Sequence, residues 1–229
     1  MELTLLRNDQ IVTYLVLVVG LTQALFTLLS RTGVGPQRFL WRLEVILFTI
    51  LATFAGAALV QAKKYHLGWS AIAYSSVFNL VQVSIGLTLF QPFGGVSRSV
   101  EGAAPLFGGI LEFSFVIYYA AKILLGLAAL VFGTGKARTD GVVSKGLGGL
   151  TALAGVFAIF ANFILVVVGR DGFLPSAVAG ASGVVATVLL ALCLITMVHQ
   201  KDEDGSERTP ESADKNSTGE VTDLKDSHA

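Results

Sequence analysis

The chain has 229 residues, of which 53 % are hydrophobic and only 14 % charged, with a mean hydropathy of +0.71. A water-soluble domain carries about 25 % charged residues, so this composition excludes one. The lack of a dense basic stripe excludes a nucleic-acid-binding module. The formal charge of +0 hides a split. Residues 1–198 hold twelve Lys or Arg against seven Asp or Glu, whereas the rest hold four against nine.

Six runs reach the length of a membrane-spanning helix, about 20 mostly apolar residues. They cover residues 11–30, 43–61, 68–92, 105–132, 146–168 and 173–198. The first follows Arg7 and exceeds the apolar region of about 7–15 residues in a secretory signal, so it is expected to be retained. Breakers separate the runs: Gly33 to Pro36, Lys63-Lys64, Pro92 to Gly95, Gly133 to Gly135, and Gly169 to Gly172. Pro105 and Pro175 each open a span, where a missing N–H costs nothing. The fold class expected is all-α: a six-helix transmembrane bundle of sequential antiparallel neighbours joined by short loops.

Lys and Arg set the orientation. With the N-terminus inside, the inner segments hold Arg7, Lys63, Lys64, Lys136, Arg138, Lys145, Lys201 and Arg208. The outer ones hold Arg31, Arg38, Arg42, Arg98 and Arg170. That bias puts both termini on the cytoplasmic side, in a plasma (inner) membrane. Trp41 and Trp69 lie at span ends, as interfacial anchors do. Residues 200–229 are polar and acidic and cannot bury enough apolar surface to offset their ordering entropy, so a disordered tail is expected there.

Polar residues inside the spans carry the functional content. Gly20, Gln23, Thr27 and Ser30 recur at helical spacing in the first span. Ser75, Asn79, Gln82 and Gly86 do so in the third, and Gly148, Thr151, Gly155, Ala158 and Asn162 in the fifth. Ala52/Gly56 and Ala179/Gly183/Thr187 extend the pattern. Small-residue faces pack helices closely in lipid, within the chain, in a homo-oligomer or against a membrane-protein partner. Asn79 and Gln82 stand apart, because a mid-span carboxamide needs a hydrogen-bond partner.

The fourth span carries Glu112 and Lys122, ten residues apart and so about 15 Å along one helix axis. They cannot pair. Lys122 can extend its stem toward the inner interface. Glu112 shares its depth with Arg42 and Glu44 of the second span and Asn162 of the fifth. An Arg42–Glu44–Glu112 clamp is one expectation; a protonatable carboxylate at the mouth of a small cavity is the other.

Catalytic and cofactor chemistry is sparse. His66, His199 and His228 all lie outside the apolar runs, so haem ligation and a histidine metal site in the membrane lack ligands. No HExxH, G-x-S-x-G or paired intramembrane aspartates occur. Cys193, the single cysteine, reads as a packing residue. No cofactor, metal or catalytic residue is assigned. The sequence leaves a non-catalytic component that scaffolds or assembles with partners in the lipid bilayer. The alternative is a small transporter or channel with Glu112 as its ionisable site and Asn79, Gln82 and Lys122 on the path.

Overall fold

The computed structural model describes residues 5–32, 38–170 and 172–206. They form six helices: α1 (Leu5–Arg31), α2 (Arg38–Gln61), α3 (His66–Ser99), α4 (Ala104–Ala137), α5 (Val142–Val168) and α6 (Ser176–Ser206). Each is long and apolar enough to cross a membrane, and no strand occurs among the described residues. Residues 200–206, expected to open the tail, continue α6 instead; the rest of that tail, residues 207–229, and the Gly33–Pro36 breaker lie outside the described residues.

Side-chain placement is that of a protein dissolved in lipid. Leu28, Ile46, Tyr74, Phe113, Leu153, Phe157, Phe160 and Val167 stand exposed along the outer helix faces, where only acyl chains match their chemistry. The chain is a multi-pass membrane protein. Its interior holds a layer built from Val12, Val16 and Val19 of α1, Phe48 and Leu51 of α2, Ile72 of α3, Leu125 and Ala128 of α4, and Leu190 of α6.

Consecutive helices are neighbours from α1 through α5, as short connections require. Helix α6 folds back to touch three others. Thr187 and Val188 meet Gly20 of α1, Gly183 meets Lys122 of α4, and the Ala179 carbonyl accepts from Asn162 Nδ2 of α5 at 3.2 Å. The end of the bundle where α1 finishes and α2 begins is called here the near end. The opposite end, with the α2–α3 and α4–α5 connections, is the far end.

Two expected breaks are absent, for physical reasons visible in the packing. Helix α3 continues through Pro92 to Ser99. Proline removes one helical hydrogen bond, but Pro92 is exposed and the turns after it are tied by side chains. Ser97 Oγ and Arg98 Nε both donate to the Gly94 carbonyl, at 3.1 and 2.9 Å, and Ser99 Oγ donates to the Gly95 carbonyl at 3.1 Å. Helix α4 likewise runs through Gly133 and Gly135 to Ala137. Its glycines serve close approach rather than termination. A β-carbon on Gly133 would lie 2.5 Å from the Ala152 nitrogen, and one on Gly135 would lie 2.6 Å from the Tyr65 ring.

The α4–α5 seam is the tightest contact in the bundle. Gly126 faces Gly155 and Gly133 faces Gly148, in antiparallel register. Backbones approach so closely that a β-carbon on Gly148 would meet the Ala137 nitrogen at 2.3 Å, while one on Gly149 would meet nothing within 4 Å. Dispersion from such contact replaces the hydrophobic drive that lipid cannot supply. Gly148→Ala is expected to destabilise the fold by about 1–3 kcal/mol through overpacking. Gly149→Ala should be neutral or stabilising by up to about 1 kcal/mol. Unfolding titrations in mixed detergent micelles compare the two, and equal stability of both variants would contradict the seam.

Candidate functional site

Lys122 sits about half-way along α4 and is fully buried. A 34-residue helix is about 51 Å long, well beyond a hydrocarbon core of about 30 Å, so its midpoint lies deep in the membrane. Room for the lysine stem is made by Gly183 of α6, where a β-carbon would fall 2.6 Å from Lys122 Cδ. The ammonium donates to Gln23 Oε1 of α1 at 2.6 Å and lies 5.0 Å from the centroid of the Tyr118 ring. Lys122 therefore stays in the interior instead of extending to an interface.

The opposite charge comes from Glu44 of α2, which is 5 % exposed. It lines the same cavity as Gln23, the partner of Lys122, but makes no direct ion pair with the lysine, and the Thr22 hydroxyl of α1 donates to the Val19 carbonyl at 2.9 Å. Glu44 Oε1 is buried without a hydrogen-bond partner. On α3, Asn79 Nδ2 donates to the Ser75 carbonyl at 2.9 Å and to Ser75 Oγ at 3.3 Å; Ser75 Oγ in turn donates to the Ala121 carbonyl at 2.9 Å. That chain of bonds fixes α3 against α4 one residue before the lysine.

Next to this cluster is a cavity of about 530 Å³. Gln23, Thr27, Glu44, Asn79 and Gln82 supply its polar wall, and Phe26, Trp41, Phe90, Phe115, Tyr118 and Tyr119 its aromatic wall. Arg170 and Ser176, at the near end, also line it, as does Gly180 of α6, where a β-carbon would lie 3.4 Å from the Tyr118 hydroxyl. Lys122 is not in the lining; it lies behind Gln23 and Tyr118. Toward the far end the apolar layer of the fold follows.

Of the residues singled out from sequence, Glu44, Asn79, Gln82 and Lys122 come together here. Three do not. Glu112 is half-exposed near the end of the span and its Oε1 lies 3.7 Å from Arg170 Nη1, while the Arg170 guanidinium stacks 4.0 Å from the Phe115 centroid. Arg42 is exposed, two residues and hence about 200° around the helix from Glu44. The Arg42–Glu44–Glu112 clamp is accordingly absent: Glu112 has Arg170 instead, and Arg42 points away. Asn162 is fully buried but belongs to the α5–α6 contact, donating to the Ala158 carbonyl at 2.8 Å and to Ser182 Oγ at 3.4 Å as well as to Ala179.

Gln23 and Arg170 are the residues that sequence reasoning underused. Gln23 sat on a face read as packing, though a mid-span carboxamide carried the same signal as Asn79. Nothing in a loop arginine points to a site until the fold brings it over Phe115. Among the described residues, no group of three His, Cys, Asp or Glu could hold a metal ion.

A second buried polar layer lies toward the far end. Asn8, Asp9 and Lys136 are each at most 3 % exposed, and Asn8 Nδ2 donates to Gln61 Oε1 at 2.7 Å. The Lys122–Gln23 bond sets the antiparallel register of α4 against α1, and fourteen residues further along each helix, about 21 Å, that register brings Lys136 to the level of Asp9. Polar layers thus flank the apolar one on both sides.

Comparison with known proteins finds no matching family model, no similar curated protein and no similar solved structure.

Two substitutions separate the buried lysine from the peripheral pair. Glu112→Gln is expected to change stability by less than about 1 kcal/mol, as for exposed ion pairs. Gly183→Ala, which collides with the Lys122 stem, should destabilise by about 1–3 kcal/mol. Denaturant unfolding of the purified protein measures both, and the reverse order would contradict this placement.

Proposed function

We propose that this membrane protein is a small transporter or channel whose cavity admits a small molecule from the near end. One observation carries the reading: a space of about 530 Å³ beside a buried carboxylate and three carboxamides, walled otherwise mostly by aromatic and aliphatic side chains. Small-molecule sites have this size and this mixture of apolar wall and few polar groups. A bundle serving only as a scaffold gains nothing from a void, which forfeits packing. Glu44 takes the part that the sequence alone gave to Glu112. Lys122 acts from behind the wall as its counter-charge, and Asn79 and Gln82 offer hydrogen bonds along the α3 side.

The apolar layer from Val12 to Leu190 would then be the closed gate between the cavity and the far-end polar layer. Passage requires that gate to part, and the valine and alanine side chains that fill much of it are small enough for a modest helix shift to do so. Following the distribution of Lys and Arg, the far end and both termini are assigned to the cytoplasm and the cavity to the outside of the plasma membrane.

A non-catalytic scaffold is the second reading. Its support is an apolar groove of about 650 Å³ on α5 and α6, lined by Leu153, Phe157, Val185 and Leu189 among others, where a partner helix or a lipid chain fits. Gly126, Gly133, Gly148 and Gly155, however, are occupied within the chain by the α4–α5 seam, while Gly56, Gly108 and Gly109 stay open.

Single cysteines test the cavity directly, in a background where Cys193 is itself buried. Thr27→Cys and Gln82→Cys are expected to react with a membrane-impermeant methanethiosulfonate added from the outside, whereas Val16→Cys in the gate should not. Thiol labelling in intact cells followed by mass spectrometry reads this out. Unreactive Thr27→Cys and Gln82→Cys proteins would count against an accessible cavity.

A further inference from the structure

The charges around the cavity define what kind of small molecule suits it. Glu44 is the acid in its wall, and Oε1 of that carboxylate lacks a hydrogen-bond partner. The nearby cations are already engaged. Arg170 lies against Glu112 and the Phe115 ring, and Lys122 is held by Gln23 and the Tyr118 ring. The wall leaves unmatched Glu44 Oε1, the Tyr119 hydroxyl and Arg170 Nε. Of the two charged groups Arg170 already has Glu112 as its counter-charge, so the acceptor left to a ligand is the Glu44 carboxylate, beside the faces and edges of several rings. Ring faces attract cations, most strongly where water is excluded.

We propose that the cavity takes an organic cation bearing an apolar group, which pairs with Glu44, and that Lys122 releases one proton as the cation enters. The inference rests on the cavity reading above and names its substrate class. Before binding, an ionised Glu44 offsets the Lys122 ammonium through the low-dielectric interior, without a direct ion pair. A second cation beside the single carboxylate leaves one positive charge uncompensated in a low-dielectric interior, which is costly. Breaking one Nζ–H bond of Lys122 removes that excess. The proton leaves to water, the electron pair stays on the now neutral amine, and the incoming cation keeps the charge of the site unchanged. No covalent bond to the ligand forms, and no oxidant or reductant takes part.

The groups around Lys122 support a one-for-one exchange. Helix α1 presents the Gln23 carboxamide, α2 presents Glu44, α3 presents Ser75 and Asn79, and α6 presents Gly183. Its own helix adds the Tyr118 and Tyr119 phenols, and the Arg170–Glu112 pair lies further out. Glu44 is the buried carboxylate of this set, and it lines one cavity with Gln23, the acceptor of the Lys122 ammonium. The neutral amine keeps a partner too: Gln23 accepts from either protonation state.

The test uses the full chain purified in detergent, weakly buffered, with benzyltrimethylammonium as probe because it carries a fixed charge and no proton. Benzenesulfonate and benzyl alcohol serve as the anionic and neutral counterparts. Saturable binding of the cation should release close to one proton per molecule bound, read by a pH-sensitive dye. Glu44→Gln should weaken that binding by about tenfold or more, and Lys122→Met should bind the cation with no proton released. Should either variant fold poorly, Gly180→Leu keeps both charges and fills the cavity wall, and it should abolish binding. Cation binding without proton release in the unsubstituted protein overturns the exchange. Preference for benzenesulfonate or benzyl alcohol, lost in Gly180→Leu, overturns the substrate class but leaves the cavity reading standing. If no probe binds in a manner sensitive to Gly180→Leu, both fall.

Discussion

A lysine ammonium held in the middle of a membrane bundle is the constraint around which the rest of this structure is arranged. An isolated charge there is expensive, so each neighbouring helix contributes something that offsets it. Helix α1 supplies an acceptor in Gln23, α2 an opposite charge in Glu44, α4 an aromatic face in Tyr118, and α6 the space opposite Gly183. Contacts from α1, α4 and α6 thereby converge on a single side chain. The carboxylate and the carboxamide that offset its charge also form one wall of the cavity, so the device that stabilises the interior and the site that gives it chemistry share residues.

Packing density is distributed unevenly, and the distribution makes functional sense. Toward the far end, Gly126, Gly133, Gly148 and Gly155 let α4 and α5 touch backbone to backbone. Toward the near end the same bundle is propped open by rings: Trp41 lies against Gly86 and stacks with Phe26 and Phe90, and Phe107 meets Gly94. Small residues close the bundle and large ones hold it apart. A cavity forms where aromatic wedges replace glycine contacts, and it ends where valine and alanine fill the centre.

The architecture was largely legible in the sequence, because a stretch of about 20 apolar residues has few alternatives to a spanning helix. Pro92 and the Gly133–Gly135 stretch misled because in water these residues end helices: past Pro92 the turns of α3 are held by side chains of the same helix, and the two glycines admit close neighbours. The site was legible only in part. Glu44, Asn79, Gln82 and Lys122 stood out as polar residues in apolar runs. Which of them converge depends on helix rotation, and depth alone does not give rotation. Arg42 and Glu44 share a depth and face opposite ways, and Glu112 found Arg170 across a loop whose path the sequence leaves open. Gln23 carried the right signal but was hidden among small residues serving a different purpose.

Mutual neutralisation of Lys122 and Glu44 is the central claim, and a double-mutant stability cycle addresses it most directly. Unfolding free energies would be measured in mixed micelles for Lys122→Met, Glu44→Gln and the combined variant. Each single change leaves one buried charge without its partner and should cost about 3–5 kcal/mol. The combined variant, with both charges gone, should cost less than either. Strictly additive losses would contradict the account, because two residues that do not share a charge balance have no reason to rescue one another.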